Sequence, residues 1–228
     1  MTLPVSPLTV ACASLLVGYA CGSFLTADVV SRVVAKKSAF DLGVGNPGMA
    51  NVGHELGAGA ALVVLAGDVL KCVLAWALAR WLFASQAELA GLMAGLGCTL
   101  GHNHPLWHGF AGGKGVTTTC SAIILATPPW GVLACLTGFA AVLASGYLCV
   151  GAVVITGAYL VLTLALHGPG LEVLVALALA LLMMRAHWSA LVATARGTQR
   201  PAGLAVKLRA RLGMPPLRGG RGQNGAAS

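Results

Sequence analysis

From Gly115 to Leu171 the chain reads GVTTTCSAIILATPPWGVLACLTGFAAVLASGYLCVGAVVITGAYLVLTLALHGPGL, without one Asp, Glu, Lys or Arg. One helical crossing of a hydrocarbon core about 30 Å thick takes about 20 mainly apolar residues. This stretch is therefore predicted to cross a membrane several times and offers no charged ion pathway. Pro128-Pro129 disfavours continuous helix and is read as the turn between two crossings. Composition agrees: of 228 residues 57% are hydrophobic and 9% charged, with mean hydropathy +0.86, where soluble domains carry about 25% charged residues. A soluble globular protein is excluded.

Working outward, seven apolar segments emerge at 5–26, 57–83, 87–104, 115–129, 130–146, 149–167 and 170–186. The predicted fold class is an all-α, polytopic integral membrane bundle of about seven transmembrane helices. No basic region precedes the first run and no cleavage site is convincing, so the run reads as a retained span. Arg32, Lys36 and Lys37 follow it, which puts that loop in the cytoplasm and the N-terminus outside; an odd number of spans then puts the C-terminus inside. Arg80 is one exception. The chain divides into a transmembrane body, 1–195, and a basic cytoplasmic tail, 196–228, expected to be largely disordered, above all from Gly219 onward.

The net charge of +8 does not signal a nucleic-acid partner, because seven of fourteen Lys and Arg fall in that tail. Its segment from Ala202 to Leu212 reads either as a surface on anionic lipid or as a solvated positive-inside anchor. The seven cysteines show no CxxC pair and read as small buried hydrophobes.

On this topology three polar segments share one face: Asp41–Gly57, Gly101–Gly115 and Arg185–Thr198. In the first, DLGVGNPGMANVGHELG, closely spaced glycines let backbone N–H groups converge on an anion, and Asn46 and Asn51 add donors; a plain interhelical turn is the alternative. In the second, Gly112-Gly113-Lys114-Gly115 before an apolar helix has the ingredients of a phosphate cradle, without Walker A spacing; a snorkelling lysine is the alternative. His102, His104 and His108 lack a carboxylate or cysteine to complete a metal site and read as interfacial histidines bonded to backbone. Asp68 and Lys71 share one helical face inside the second span, as an ion pair locking helices or as a substrate contact.

Taken in order, GSFLTADVVSR (Gly22–Arg32), GNPGMANV (Gly45–Val52), Asp68 with Lys71, Gly101-His102 with Pro105, GGKGV, His187 and Arg196-Gly197-Thr198 resemble the acyl-phosphate-dependent glycerol-3-phosphate acyltransferases of bacterial membranes, the PlsY type. The resemblance runs from about Gly18 to Gln199. It implies transfer of a fatty acyl group from acyl phosphate to glycerol 3-phosphate, giving lysophosphatidic acid for phospholipid synthesis, in the bacterial cell (inner) membrane with the active site facing the cytoplasm. No cofactor and no metal are implied.

Carried over residue by residue, the resemblance makes Lys114 and His187 the catalytic residues. Gly43, Gly45, Asn46, Gly48, Asn51, His54, Gly112, Gly113 and Gly115 become the substrate cradle, and Asp68, Lys71 and His102 its supports. The chain departs from the pattern at Val44 (Ser), Ala50 (Thr), His54 (Arg), Ala111 (Lys), Gly146 (Arg), Cys149 (Ser) and Ala190 (Asn). His54 is then the substitute phosphate contact. Losing one donor that stabilises transition-state charge costs roughly 10²–10³ in rate, which motivates a rival reading: a non-catalytic or altered-acceptor paralogue binding lipid phosphate or a partner enzyme. A small-solute transporter is a third reading, disfavoured because no inverted repeat is visible.

Overall fold

A computed structural model describes residues 5–215. Ten α-helices follow one another among them: α1 Pro7–Gly22, α2 Thr26–Ala35, α3 Met49–Leu56, α4 Ala58–Leu82, α5 Ala87–Asn103, α6 Val116–Ala126, α7 Pro128–Ser145, α8 Leu148–His167, α9 Leu171–Ala195 and α10 Gly203–Arg211. Among the described residues five segments are long and apolar enough to cross a membrane: Pro7–Ala35, α4, α7, α8 and α9. At about 1.5 Å per residue, α5 reaches about 26 Å and α6 only about 16 Å.

The solvent of this bundle is legible in which residues face out. Leu, Val and Trp cover the outside, as at Leu8, Leu62, Trp81 and Leu181, while Gly, Ala, Ser, Thr and Cys fill much of the inside. That inverts the pattern of a water-soluble helix. In lipid, helices associate by close backbone packing and polar contacts, because burying Leu among lipid tails gains little. α1 and α5 show this best. A Cβ on Gly18 would lie 2.1 Å from the Ala94 carbonyl oxygen, and one on Gly97 would lie 2.2 Å from that of Leu15.

Helix ends depart from expectation where a polar group changes the outcome. The first helix stops at Gly22, inside the expected 5–26 span, and the chain restarts at Thr26. The Phe24 carbonyl freed by this break accepts a 2.9 Å bond from Lys71 Nζ, which makes the break tolerable in an apolar bundle. The sixth helix ends at Ala126 and the seventh has Pro128 and Pro129 in its first turn, so the break falls at Thr127, just before the Pro-Pro pair expected to form the turn itself. Helix α9 runs to Ala195, nine residues past the expected end at 186, because Arg185 and His187 are accommodated at one end of the bundle. The polar segment 41–57 is half helical, not a plain loop, since α3 forms from Met49.

The described part of the tail carries one further helix, Gly203–Arg211. Helix α10 docks beside the C-terminal end of α7, where the Arg209 guanidinium donates to Leu143 O at 2.5 Å and Ala144 O at 3.1 Å. Those are carbonyls of the last helical turn, which lack helical partners and attract a cation. Residues 216–228, including the stretch expected to be disordered from Gly219, lie outside the described residues.

Candidate active site

One cavity of about 380 Å³ receives all three polar segments. Asn46, Gly48 and Asn51 reach it from the first, His102, Lys114 and Gly115 from the second, and His187 from α9. Its remaining wall is largely apolar, from Val116 and Cys120 on α6, Cys135, Phe139 and Val142 on α7, and Leu148 and Ile155 on α8. A polar end therefore opens directly into an apolar channel.

The loop before α3 is built around two side chains. Asn51 accepts from Val44 N–H at 3.1 Å and donates to Leu42 O at 2.9 Å, so its amide latches the loop as well as lining the cavity. Asp28, buried on α2, accepts from Ser38 Oγ at 2.6 Å, Ala39 N–H at 3.0 Å and Arg32 Nε at 2.7 Å. Its carboxylate pins the other end of the segment. Gly43 and Gly45 hold left-handed angles inside that turn, behind the wall rather than in it.

The Gly-Gly-Lys-Gly turn is clamped onto the end of α5. Gly113 N–H donates to His102 O at 3.0 Å, and a Cβ on Gly113 would lie 2.2 Å from His102 Nε2. Gly115 takes φ 73° against the buried Asn103 amide, 2.2 Å from where its Cβ would stand. Gly112 and Gly113 serve this packing and do not line the cavity. Their consequence is the placement of Lys114, whose side chain makes no hydrogen bond or ion pair among the described residues. Its ammonium is available to an anion.

Beneath the turn lies a buried triad. Lys71 Nζ is 2.8 Å from Asp68 Oδ1, 2.8 Å from His102 Nδ1 and 2.9 Å from Phe24 O. The contacts to His102 and Phe24 O are hydrogen bonds and that to Asp68 is an ion pair, and Lys71 does not line the cavity. Across the cavity, the buried His187 ring donates from Nδ1 to Met183 O at 3.1 Å. The neutral ring then keeps its Nε2 lone pair for another partner.

His54 lies outside the cavity lining. Its side chain is 84% exposed and meets Glu55 at 2.7 Å. The helical turn that buries Asn51 and Val52 carries residue 54 to another face, so the expected substitute phosphate contact is not in the cavity. The other two loop histidines diverge from His102, with His104 Nδ1 3.2 Å from Phe110 O and His108 packed against Phe40. Of the seven cysteines, Cys72, Cys98 and Cys149 are buried as expected, whereas Cys21, Cys120 and Cys135 are half-buried and Cys12 is exposed on the apolar exterior.

Sequence reasoning missed Asp28, Asn103, Gln199 and Arg200, the last two of which line the cavity. The signal for Arg200 was a permanent cation two residues after the last motif. Four of the positions that depart from the resembled pattern, Val44, Ala50, Cys149 and Ala190, also line the cavity.

The model of the family described as glycerol-3-phosphate acyltransferase matches residues 12–197. The glycerol-3-phosphate acyltransferase of Thermus thermophilus is 34% identical over 202 residues, covering 89% of this chain and 100% of that one. That of Roseobacter denitrificans is 36% identical over 172 residues, 74% of this chain and 83% of the relative. With glycerol-3-phosphate acyltransferase 1 of Lactobacillus acidophilus the identity is 37% over 109 residues, and the chain spans about half of that relative, 52%. Among solved structures, PlsY (YgiH), an integral membrane glycerol 3-phosphate acyltransferase, in its glycerol 3-phosphate form superposes with TM-score 0.76 at 23% identity, covering 87% of this chain and 98% of that one. Its lysophosphatidic acid form gives 0.73. Apolar exterior, shared fold and a family match running through most of the sequence agree that this multi-pass membrane chain belongs to the glycerol-3-phosphate acyltransferase family.

Proposed function

We propose that the chain transfers a fatty acyl group from acyl phosphate to glycerol 3-phosphate. The observation that carries this reading is the single cavity in which Lys114 and His187 meet an apolar channel. Both substrates bear phosphate, and donor and product bear a lipid tail, so the reaction needs this union of ends. Lys114, Asn46 and the backbone around Gly48 and Gly115 hold phosphate, and the chain lies along α6, α7 and α8. The acceptor hydroxyl oxygen attacks the acyl carbonyl carbon, the carbon–oxygen bond to phosphate breaks, and inorganic phosphate leaves with the electron pair. His187 Nε2 takes the hydroxyl proton or orients the hydroxyl. Since acyl phosphate is already activated, positioning and charge stabilisation carry most of the catalysis.

The same reading places the protein in a bacterial inner membrane with seven crossings, α1, α4, α5, α6, α7, α8 and α9, the cavity facing the cytoplasm beside Arg32, Lys36 and Lys37. The short α6 then shares its leaflet depth with the Pro-broken start of α7. A second reading, binding without turnover, is favoured by one observation: Val44, Ala50, Cys149 and Ala190 put apolar groups or a thiol on the cavity wall.

Purified protein in nanodiscs, given acyl phosphate and glycerol 3-phosphate, is expected to release phosphate and form lysophosphatidic acid in equal amounts. In Lys114→Ala both fall by about 10² or more with the fold intact. No product from well-folded protein, together with turnover gained by the triple change Val44→Ser, Ala50→Thr and Ala190→Asn, would establish the second reading.

A further inference from the structure

We propose that Arg200 is a second phosphate-binding residue of this cavity, held there by a clasp that the chain forms after α9. The proposal rests on the acyl-transfer reading above and adds to it a residue and the device that positions it.

Charge is the first reason. Of the residues that line the cavity, Lys114 and Arg200 are the permanent cations; Lys71 lies outside the lining, against Asp68, His102 and Phe24 O. A phosphate monoester carries about −1.5 to −2 charges near neutral pH, and two phosphate-bearing substrates meet here. One ammonium leaves most of that charge uncompensated in a mainly apolar cavity, where an unpaired ion is costly. A guanidinium adds a second full charge and a planar fork of donors that matches phosphate oxygens two at a time.

Position is the second reason. After α9 the chain turns back over the bundle, with Gln199 and Arg200 at the cavity rim. Two residues on, Ala202 N–H donates to Gly146 O at 2.9 Å, at the turn between α7 and α8. Arg209 then fixes α10 on the carbonyls of Leu143 and Ala144, the two residues after Val142 in the cavity wall, while its other nitrogen donates to Pro215 O at 2.7 Å. Arg209 is 8% exposed, so it acts as a buried cap and not as a charge on the lipid surface. The segment from 199 to 209 is thus tied at two points to the helix end that walls the cavity. Arg209 is a positioning residue, acting on substrate through Arg200.

The test uses the full chain in nanodiscs, varying glycerol 3-phosphate and acyl phosphate separately, beside direct binding of radiolabelled glycerol 3-phosphate. Arg200→Gln is expected to raise one of the two KM values about tenfold or more, with kcat changed much less, and the KM that moves identifies which phosphate Arg200 holds. Arg200→Lys recovers part of the loss, because charge returns without the fork. Arg209→Gln raises the same KM by a smaller factor and lowers the unfolding temperature. Both KM values within twofold of the parent in Arg200→Gln would overturn the proposal while leaving acyl transfer in place. A parent that binds glycerol 3-phosphate without turnover, and a variant that loses that binding, would retain Arg200 and reject the reaction. A parent that neither turns over nor binds would overturn both.

Discussion

Lys71 carries the tightest polar knot in the bundle, with Asp68, His102 and the Phe24 carbonyl all within 2.9 Å of its ammonium. Its side chain and that of Asp68 are 6% and 3% exposed, so each charge depends on the other. Lys71→Met leaves the carboxylate buried without its counterion and is expected to destabilise the fold by about 3–5 kcal/mol, read by thermal unfolding in detergent. Replacing both, Asp68→Leu with Lys71→Met, removes the uncompensated charge and recovers much of that loss. Recovery would mark the pair as a lock between α4, α5 and the α1–α2 break. The i, i+3 spacing of Asp68 and Lys71 was legible as a shared helix face, but not their common partner His102, which comes from another helix. For the same reason Asp28 went unnoticed: its partners Ser38 and Ala39 are ten and eleven residues away across a turn.

Between elements, glycine marks contact in some places and is idle in others, and the sequence alone does not separate the two. Gly97 on α5 touches the backbone of α1, where its added Cβ would meet Leu15 O at 2.2 Å. Gly97→Ala must push the helices apart and is expected to cost about 1–3 kcal/mol. Gly157, within α8, has nothing within 4 Å of such a Cβ, so Gly157→Ala is expected to gain up to about 1 kcal/mol from helix propensity. Thermal unfolding of the two variants side by side checks both signs. Equal effects would refute close α1–α5 packing. Hydropathy does mark α4, α5 and α8 to within about a residue of their ends, because their boundaries coincide with loss of apolar character. It misplaces the end of α9 because Arg185 and His187 look like a boundary, while the helix carries His187 inward to the cavity.

At the scale of the whole molecule, the decisive arrangement is the meeting of three segments far apart in sequence at one end of a bundle. Parity of spans and the basic residues after α1 anticipate that they share a side; the cavity itself depends on how α7 and α8 lean against α6, which no local pattern encodes. The site motifs were therefore readable as a set, whereas the roles of individual glycines and the absence of His54 from the wall were not. The shared side leads to a topological prediction. If α6, α7, α8 and α9 each cross once, the turn at Gly168-Pro169-Gly170 faces the side opposite the Gly101–Gly115 loop and the α10 segment. In intact cells an impermeant maleimide is expected to label Pro169→Cys above the background of the native thiols. It should leave His108→Cys and Lys207→Cys unlabelled until the inner face is opened. Labelling of His108→Cys from outside, with Pro169→Cys protected, would invert the bundle; labelling of His108→Cys and Lys207→Cys from opposite sides would break the even number of crossings between them and the cavity they are inferred to share.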